Sequence, residues 1–315
     1  MEERIKIGVS SCLLGQKVRY DGGHKLDRFI TETLGRHFDF LGVCPEVECG
    51  LPVPREALHL AGDPANPTLV TSRSGVDHTR EMQEWAKRRA EELGDEGLSG
   101  FIFKSRSPSS GMQGVKVYGP SGIPSRKGIG IFARVFMDRF PVVPVEDEGR
   151  LNDPRIRENF IERVFAYRRW QQWATRNGTT EELIRFHTDH KLLILSHSTT
   201  HYTELGRLVA NSGGRQGDLH GTYITLFMEG MRLFATPRKN TNVLHHIMGY
   251  FKKQLSADEK AELLELIGQY HSGYVPLIVP VSLLKHYVRK YDQAYLKRQY
   301  YLNPHPVELM LRNHA

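Results

Sequence analysis

Short apolar runs separated by polar, turn-rich segments fill the first half of the chain. Residues 5–9 form one run, which ends in Ser10-Ser11-Cys12. Residues 38–43 form a second, ending at Cys44-Pro45-Glu46, and residues 100–104 form a third, ahead of Ser107-Pro108-Ser109-Ser110. A fourth covers residues 142–145. Between these runs the apolar spacing changes to that of helices: 24–37 through Phe29, Ile30 and Leu34, a charged amphipathic stretch at 81–93, and 130–140. Strands alternating with helices predict an α/β, Rossmann-like parallel sheet. In such sheets ligands bind beyond the carboxyl ends of the strands. Cys12, Cys44 and the Ser107–Ser110 turn each follow a strand, so the pattern brings them to one crevice.

The pattern changes near Glu146-Asp147-Glu148-Gly149, and Asp153-Pro154 opens a long helical region with almost no strand signals. Thr179 with Glu182 and Ser256 with Glu259 have the spacing of capping boxes, each starting a helix. Ser282 reads as the cap of a helix running through Lys297. Gly213-Gly214 and Pro237 read as breaks. The expected organisation is an α/β domain over residues 1–150 followed by an all-α domain over 151–315.

Composition adds a class and a compartment. Hydrophobic residues make up 39% and charged residues 25% of 315 positions, as in soluble globular proteins. No apolar stretch approaches the ~20 residues of a membrane span; the longest, 274–284, is broken by Pro276 and Pro280. The N-terminus has acids where a signal peptide has a basic region. With sparse cysteine, this predicts a cytoplasmic protein with no membrane partner. The formal charge of +7 is unevenly placed. Residues 1–150 carry 21 Lys+Arg and 21 Asp+Glu, whereas 151–315 carry 22 and 15, with 11 of the 15 histidines. A positive excess confined to one half suits an anionic partner there, such as nucleic acid.

Only three cysteines occur, Cys12, Cys44 and Cys49. Three thiolates are too few for a closed tetrahedral zinc site. They suit an iron–sulfur cube with one iron left open, and equally three unrelated buried thiols.

With SSCLLGQKVRYDGG, CPEVECGLPVPRE and KSRSPSSG, residues 4–145 resemble the thiouracil desulfidase family. These are α/β proteins that remove sulfur from thiolated pyrimidines with a [4Fe-4S] cluster bound by three cysteines. The second half, through FHTDHKLLILSHSTTHYTELGRLVA at 186–210, resembles a YbgA-like helical domain of unknown function that occurs alone or fused to this desulfidase. Such fusions are similar to enzymes that convert 4-thiouridine in tRNA to uridine. The resemblance therefore implies a tRNA 4-thiouridine desulfidase with tRNA as partner. One departure stands out: the family places its third cluster cysteine in a SPSCG turn, where this chain has Ser110. Three readings are open. Cys49 takes over as third ligand beside Cys12 and Cys44, Ser110 ligates iron itself, or the cluster is lost and the protein only binds RNA.

The resemblance assigns Glu46 as the proton-moving carboxylate and Ser107 as the serine that positions substrate or water. Arg19, Asp21, Arg55, Lys104 and Ser109 sit in the same motifs and are expected to shape the substrate pocket, although Asp21-Gly22-Gly23 also reads as a tight turn. In the helical half, His187, His190 and Lys191 share a face, as do His197 and His201, and packing is the expected role for the histidines. Tyr287, Tyr291 and Tyr295 form a stripe expected in the core. Lys191, Arg207, Lys285, Arg289 and Lys290 are the candidate RNA contacts. A free-base desulfidase with a helical oligomerisation domain is the remaining alternative.

Overall fold

The computed structural model describes residues 4–120, 122–175, 178–211, 218–309 and 311–313. The chain divides into two compact units, Met1–Asp153 and Pro154–Ala315. The order is α/β, then all-α.

The first unit is built on a parallel sheet. Strands β1 (Ile5–Ser10) and β2 (Phe38–Val43) pair in register, Ile5 opposite Phe38 through Ser10 opposite Val43. After the short helix α1 (Pro45–Glu48) come β3 (Leu58–Asp63) and β4 (Asn66–Thr71), then α2 (Thr79–Gly94) and β5 (Phe101–Phe103). β6 (Val115–Tyr118), β7 (Pro124–Gly128), α3 (Ile131–Arg139) and β8 (Val145–Asp147) complete the unit. The main sheet has the order β2-β1-β5-β8, all parallel. Its buried face is aromatic: Phe101, Phe103, Phe132 and Phe136 pack ring against ring and are fully buried. Such continuous burial explains why these strands read as unbroken apolar runs.

A second sheet, order β4-β3-β6-β7, was not expected from the sequence. Its β3–β4 and β6–β7 ladders are antiparallel hairpins. Residues 24–37 do not form the predicted helix. A π turn at Phe29–Thr33 runs into a 3-10 turn at Leu34–Arg36. The fourth strand also starts later than expected, at Val145, and contains Glu146 and Asp147 of the presumed boundary.

The second unit is helical: α4 (Pro154–Ala174), α5 (Thr180–His197), α6 (Thr199–Ala210), α7 (Leu219–Arg232), α8 (Pro237–Gly249), α9 (Ala257–His271), α10 (Ile278–Lys290) and the single turn α11 (Ala294–Lys297). Both capping boxes are formed, Thr179 with Glu182 and Ser256 with Glu259. Pro154 and Pro237 each stand at the first position of a helix, where a missing N–H costs nothing. Gly213-Gly214 lies outside the described residues. Ser282 is not a cap. α10 starts four residues earlier at Ile278, and Pro280 sits in its first turn, where proline is tolerated. The helix stops at Lys290, and Asp292 has φ +51, so Tyr295 belongs to α11. No described helix is long and apolar enough to cross a membrane.

Candidate active site at the carboxyl ends of the parallel strands

Three strand ends meet at one cavity of about 370 Å³. β1 ends in a 3-10 turn, Ser11–Leu14, closed by Gly15 in the left-handed region (φ +87), and this turn carries Cys12. β2 ends at Cys44, the N-cap of α1, whose N–H donates to Glu48 Oε1 at 2.7 Å. Arg89 Nε stands 3.1 Å from the other oxygen of Glu48. β5 leads into Lys104, whose N–H donates to Ser10 Oγ at 2.8 Å, and then into the Ser107–Ser110 turn. The start of α3 fastens that turn: Ile131 N–H donates to Pro108 O and Phe132 N–H to Ser109 O, at 3.2 and 2.9 Å. Gly130 makes this approach possible, because a Cβ there would stand 2.6 Å from Ser109 backbone atoms.

Of the predicted residues, Cys12, Arg19, Cys44, Glu46, Arg55, Lys104, Ser107, Ser109 and Ser110 all line the cavity. Two do not. Asp21 is exposed at a turn, where its Oδ1 accepts from Gly23 N–H at 3.0 Å, and that bond holds its carboxyl below the usual range. Cys49 is the second, and it is not among the residues that line the cavity with Cys12 and Cys44. It caps the C-terminus of α1, with its N–H on Pro45 O and its Sγ donating to Glu46 O at 3.3 Å. The winding of α1 turns the thiol back along its own helix, and Ser110 lines the cavity instead. Among the described residues, no three His, Cys, Asp or Glu side chains are grouped to hold a metal.

Hydroxyls link the turn to the carboxylate. Ser109 Oγ donates to Glu46 Oε1 at 2.8 Å, and Arg55 pairs with the other oxygen. Ser107 Oγ lies 3.0 Å from Ser109 Oγ and accepts from the N–H groups of Ser109 and Ser110 at 3.3 and 3.1 Å. With Ser109's proton directed at Glu46, the Ser107 proton points at Ser109. The order is Ser107 to Ser109 to Glu46. Arg55 also donates to Val18 O and Pro52 O, at 3.1 and 3.2 Å, so Glu46 faces a guanidinium held at several points.

Both cavity thiols are stabilised in the neutral form. Burial pushes Cys12 up to about 11, the charge of Lys104 opposes the shift, and Cys44 adds to it. Burial likewise raises Cys44, against a hydrogen bond from the Val47 N–H. Lys104 in turn pairs with Glu148. Sequence reasoning missed Glu148, having taken its acidic run for a boundary; an acid immediately after a strand end was the available signal. Tyr20, Lys25 and Arg106 also line the cavity unpredicted.

In the second unit His187, His190 and His197 are buried packing residues. His190 is buried against Phe186 with Nδ1 on Phe186 O at 2.8 Å, and His197 is fully buried between Leu233 O and Glu162. Tyr287 is buried, whereas Tyr295 stacks on Tyr250 and carries Lys191 over its ring at 5.0 Å. Lys290 pairs with Glu259 at 2.7 Å. Arg207, Lys285 and Arg289 are exposed.

A family model described as 2-thiouracil desulfurase matches residues 7–148, and one described as a protein of unknown function, DUF1722, matches residues 191–306. The first half of the chain belongs to the 2-thiouracil desulfurase family, the second to DUF1722. Among curated proteins, the uncharacterised YbgA of Escherichia coli (strain K12) is 32% identical over 165 residues, 52% of this chain and 98% of YbgA. The uncharacterised YbbK of Bacillus subtilis (strain 168) is 31% identical over 108 residues, 33% of this chain and 71% of YbbK. A solved structure of the [4Fe-4S]-dependent thiouracil desulfidase TudS is 32% identical and covers 48% of this chain and 95% of its own, with a TM-score of 0.38.

Proposed function

We propose that this chain is a desulfidase that replaces the sulfur of a thiolated uracil by oxygen, with 4-thiouridine in tRNA as substrate. The observation that carries the reading is the hydroxyl chain from Ser107 through Ser109 to Glu46, beside two thiols in one cavity. At about 370 Å³ the cavity has room for a pyrimidine base, and polar groups converge on an otherwise mixed lining. The donors present fit a thiolate-held iron–sulfur group at two corners, Cys12 and Cys44, beneath the positive charges of Lys104 and Arg19. For the third corner, Ser110 has the position and Cys49 the chemistry, since soft iron–sulfur centres favour thiolate. When bound, the group supplies a soft electrophile for the departing sulfur.

The remaining work falls to the chain's own side chains. The reaction exchanges C=S and water for C=O and hydrogen sulfide, with no net redox change. Water attacking the pyrimidine carbon must lose a proton. In this reading Ser107 Oγ takes it up as its own proton passes to Ser109 and on to Glu46, along the contacts those three side chains make. Arg55 fixes the Glu46 carboxylate, so that the acceptor is oriented before substrate arrives. Backbone N–H groups of Ser109 and Ser110 hold the Ser107 oxygen in place.

The basic helical unit supplies the reason to favour tRNA over a free base, through Arg207, Lys285 and Arg289 and with Lys191 and Lys290 beside them. Sulfide release from 4-thiouridine-containing tRNA, compared with free 4-thiouracil at equal concentration, tests this. A kcat/KM at least tenfold higher on tRNA supports the reading, and preference for the free base contradicts it. Ser110, standing where the family has cysteine, favours a second reading, an RNA-binding protein without catalysis. An inactive chain that binds tRNA and purifies iron-free would establish that one.

A further inference from the structure

Residues 1–150 are neutral in total but not evenly so: residues 101–150 hold eight Lys or Arg and four Asp or Glu. Much of that excess lies along one open groove of about 1040 Å³ in the same unit. The groove shares Lys104, Ser105 and Arg106 with the Cys12–Cys44 cavity, so the two spaces are neighbours with a common wall. Lys104, Arg106, Arg126, Lys127 and Arg150 line it, against the single acid Asp147. Lys104 pairs with Glu148 and Arg150 with Glu146. Arg106, Arg126 and Lys127 are exposed, and none has an ion pair among the described residues.

The backbone accounts for this clustering. Neighbouring residues of a regular strand point to opposite faces, so Arg126 and Lys127 of β7 should not share a groove. In the β6–β7 ladder, however, Val115 faces Gly128 while Val117 faces Ser125. Two β7 residues, Arg126 and Lys127, therefore stand opposite Lys116 alone. This is a β-bulge, which re-aims side chains and is common beside active sites. Arg106 has φ +57, an uncommon conformation for a side-chain-bearing residue, at the point where the loop passes between cavity and groove.

We propose that this groove receives the phosphates flanking the thiolated base of an RNA strand, through Arg106, Arg126 and Lys127. The inference rests on the desulfidase reading and extends it: the desulfidase unit itself grips the strand, beside any contact made by the helical unit. A free base would have no use for two unpaired cations, Arg126 and Lys127, outside its cavity. A strand whose base enters the cavity must lay its backbone somewhere adjacent, and cations free of partners are what phosphate binding requires.

The test uses the full chain with Arg126→Glu/Lys127→Glu, and Arg126→Gln/Lys127→Gln as the milder pair should charge reversal disturb folding. Neither residue belongs to the catalytic machinery. The probe is a fluorescent 12-nucleotide single-stranded RNA without thiolation, read by anisotropy from 50 to 300 mM KCl, with turnover of free 4-thiouracil measured alongside. The expected result is at least a tenfold weaker affinity for the reversed pair at 100 mM KCl. Losing two phosphate contacts should also lower the slope of log affinity on log salt by about 1.4 in the neutral pair. Unchanged free-base turnover then places the defect outside the cavity. Wild-type affinity and slope in both pairs would overturn the groove, as would a wild-type chain that fails to bind the probe. Because the binding readout needs no catalysis, absent sulfide release with intact, groove-dependent RNA binding would remove the desulfidase reading and leave the groove standing.

Discussion

Ser109 Oγ donates to Glu46 Oε1 at 2.8 Å, joining the turn after β5 to the helix after β2 across 63 residues of sequence. Arg55 holds the other Glu46 oxygen, and α3 holds the Ser109 backbone through its carbonyl. The bond makes Ser109 a positioning residue between Ser107 and the carboxylate.

Ser109→Ala breaks the hydroxyl chain while removing one buried oxygen. We expect kcat for sulfide release to fall about tenfold to a hundredfold, within the range of a general acid–base contribution. KM should change little, because Ser107 keeps its two N–H donors. Stopped assays across substrate concentrations separate the two constants. A drop confined to KM would make Ser109 a substrate contact instead.

Replacing Glu46 by Gln keeps the shape and removes the acceptor. The expected loss in kcat is 10²–10⁴-fold. The variant also leaves Arg55, whose side chain is only 5% exposed, without its counter-charge. The first unit should therefore lose on the order of 1–3 kcal/mol, seen as a lower Tm. Activity near wild type would remove Glu46 from the chemistry.

Gly130 gives a third prediction. Its backbone is extended and open to alanine, but the added Cβ would meet Ser109 backbone atoms at 2.6 Å. Gly130→Ala should push the Ser107–Ser110 turn away from α3, costing about 1–3 kcal/mol and reducing activity with it. A variant with unaltered Tm and turnover would show that the turn is not held by this contact.

The helical unit has its own pH dependence, centred on Arg312 with Glu158 and Glu162. Burial, then the neighbouring Glu162 charge, push Glu158 up to about 7. Glu162 lies below its usual range: burial opposes ionisation, but Arg312 and then His197 outweigh it. A carboxyl raised on folding binds more protons folded than unfolded, so Glu158 makes stability fall as pH rises from about 4.5 to 7. Glu162 acts in the opposite sense, losing its contribution as pH falls below about 4.5. Taken alone, these two carboxyls contribute most near pH 5; burial holds His187, His190 and His305 below their usual range, and they act in the opposite sense to Glu158, losing stability as pH falls. Glu158→Gln should stabilise the unit at pH 8 by on the order of 2 kcal/mol, seen as a higher Tm, and much less at pH 5. Calorimetry at the two pH values checks this, and equal shifts at both would contradict it.

What could be read from the sequence follows from how each element is buried. β1 and β5 are buried along nearly their whole length and stand out as apolar runs, β2 at the sheet edge does so through Phe38, Phe40, Leu41 and Val43, and the two capping boxes need only local side chains. The second sheet was missed because its short strands alternate polar and apolar residues around Pro64 and Gly122, a hairpin signal easily taken for loop. Residues 24–37 have helical periodicity, yet the backbone there is drawn into tight turns, with Lys25 and Asp27 N–H groups bonded to Cys12 and Leu13 carbonyls. The crevice was legible because three strand ends carry its chemistry. The direction of Cys49 was not, since it depends on how a four-residue helix winds after Cys44.

The most direct test is anaerobic reconstitution with iron and sulfide, followed by sulfide release from 4-thiouridine-containing tRNA, for the wild type beside Cys44→Ala, Cys49→Ser and Ser110→Ala. The account predicts iron bound to the wild type, one sulfide released per uridine formed, and loss of both in Cys44→Ala. Whichever of Cys49→Ser and Ser110→Ala loses its iron names the third ligand. A wild type that retains no iron and leaves 4-thiouridine intact would contradict the central claim.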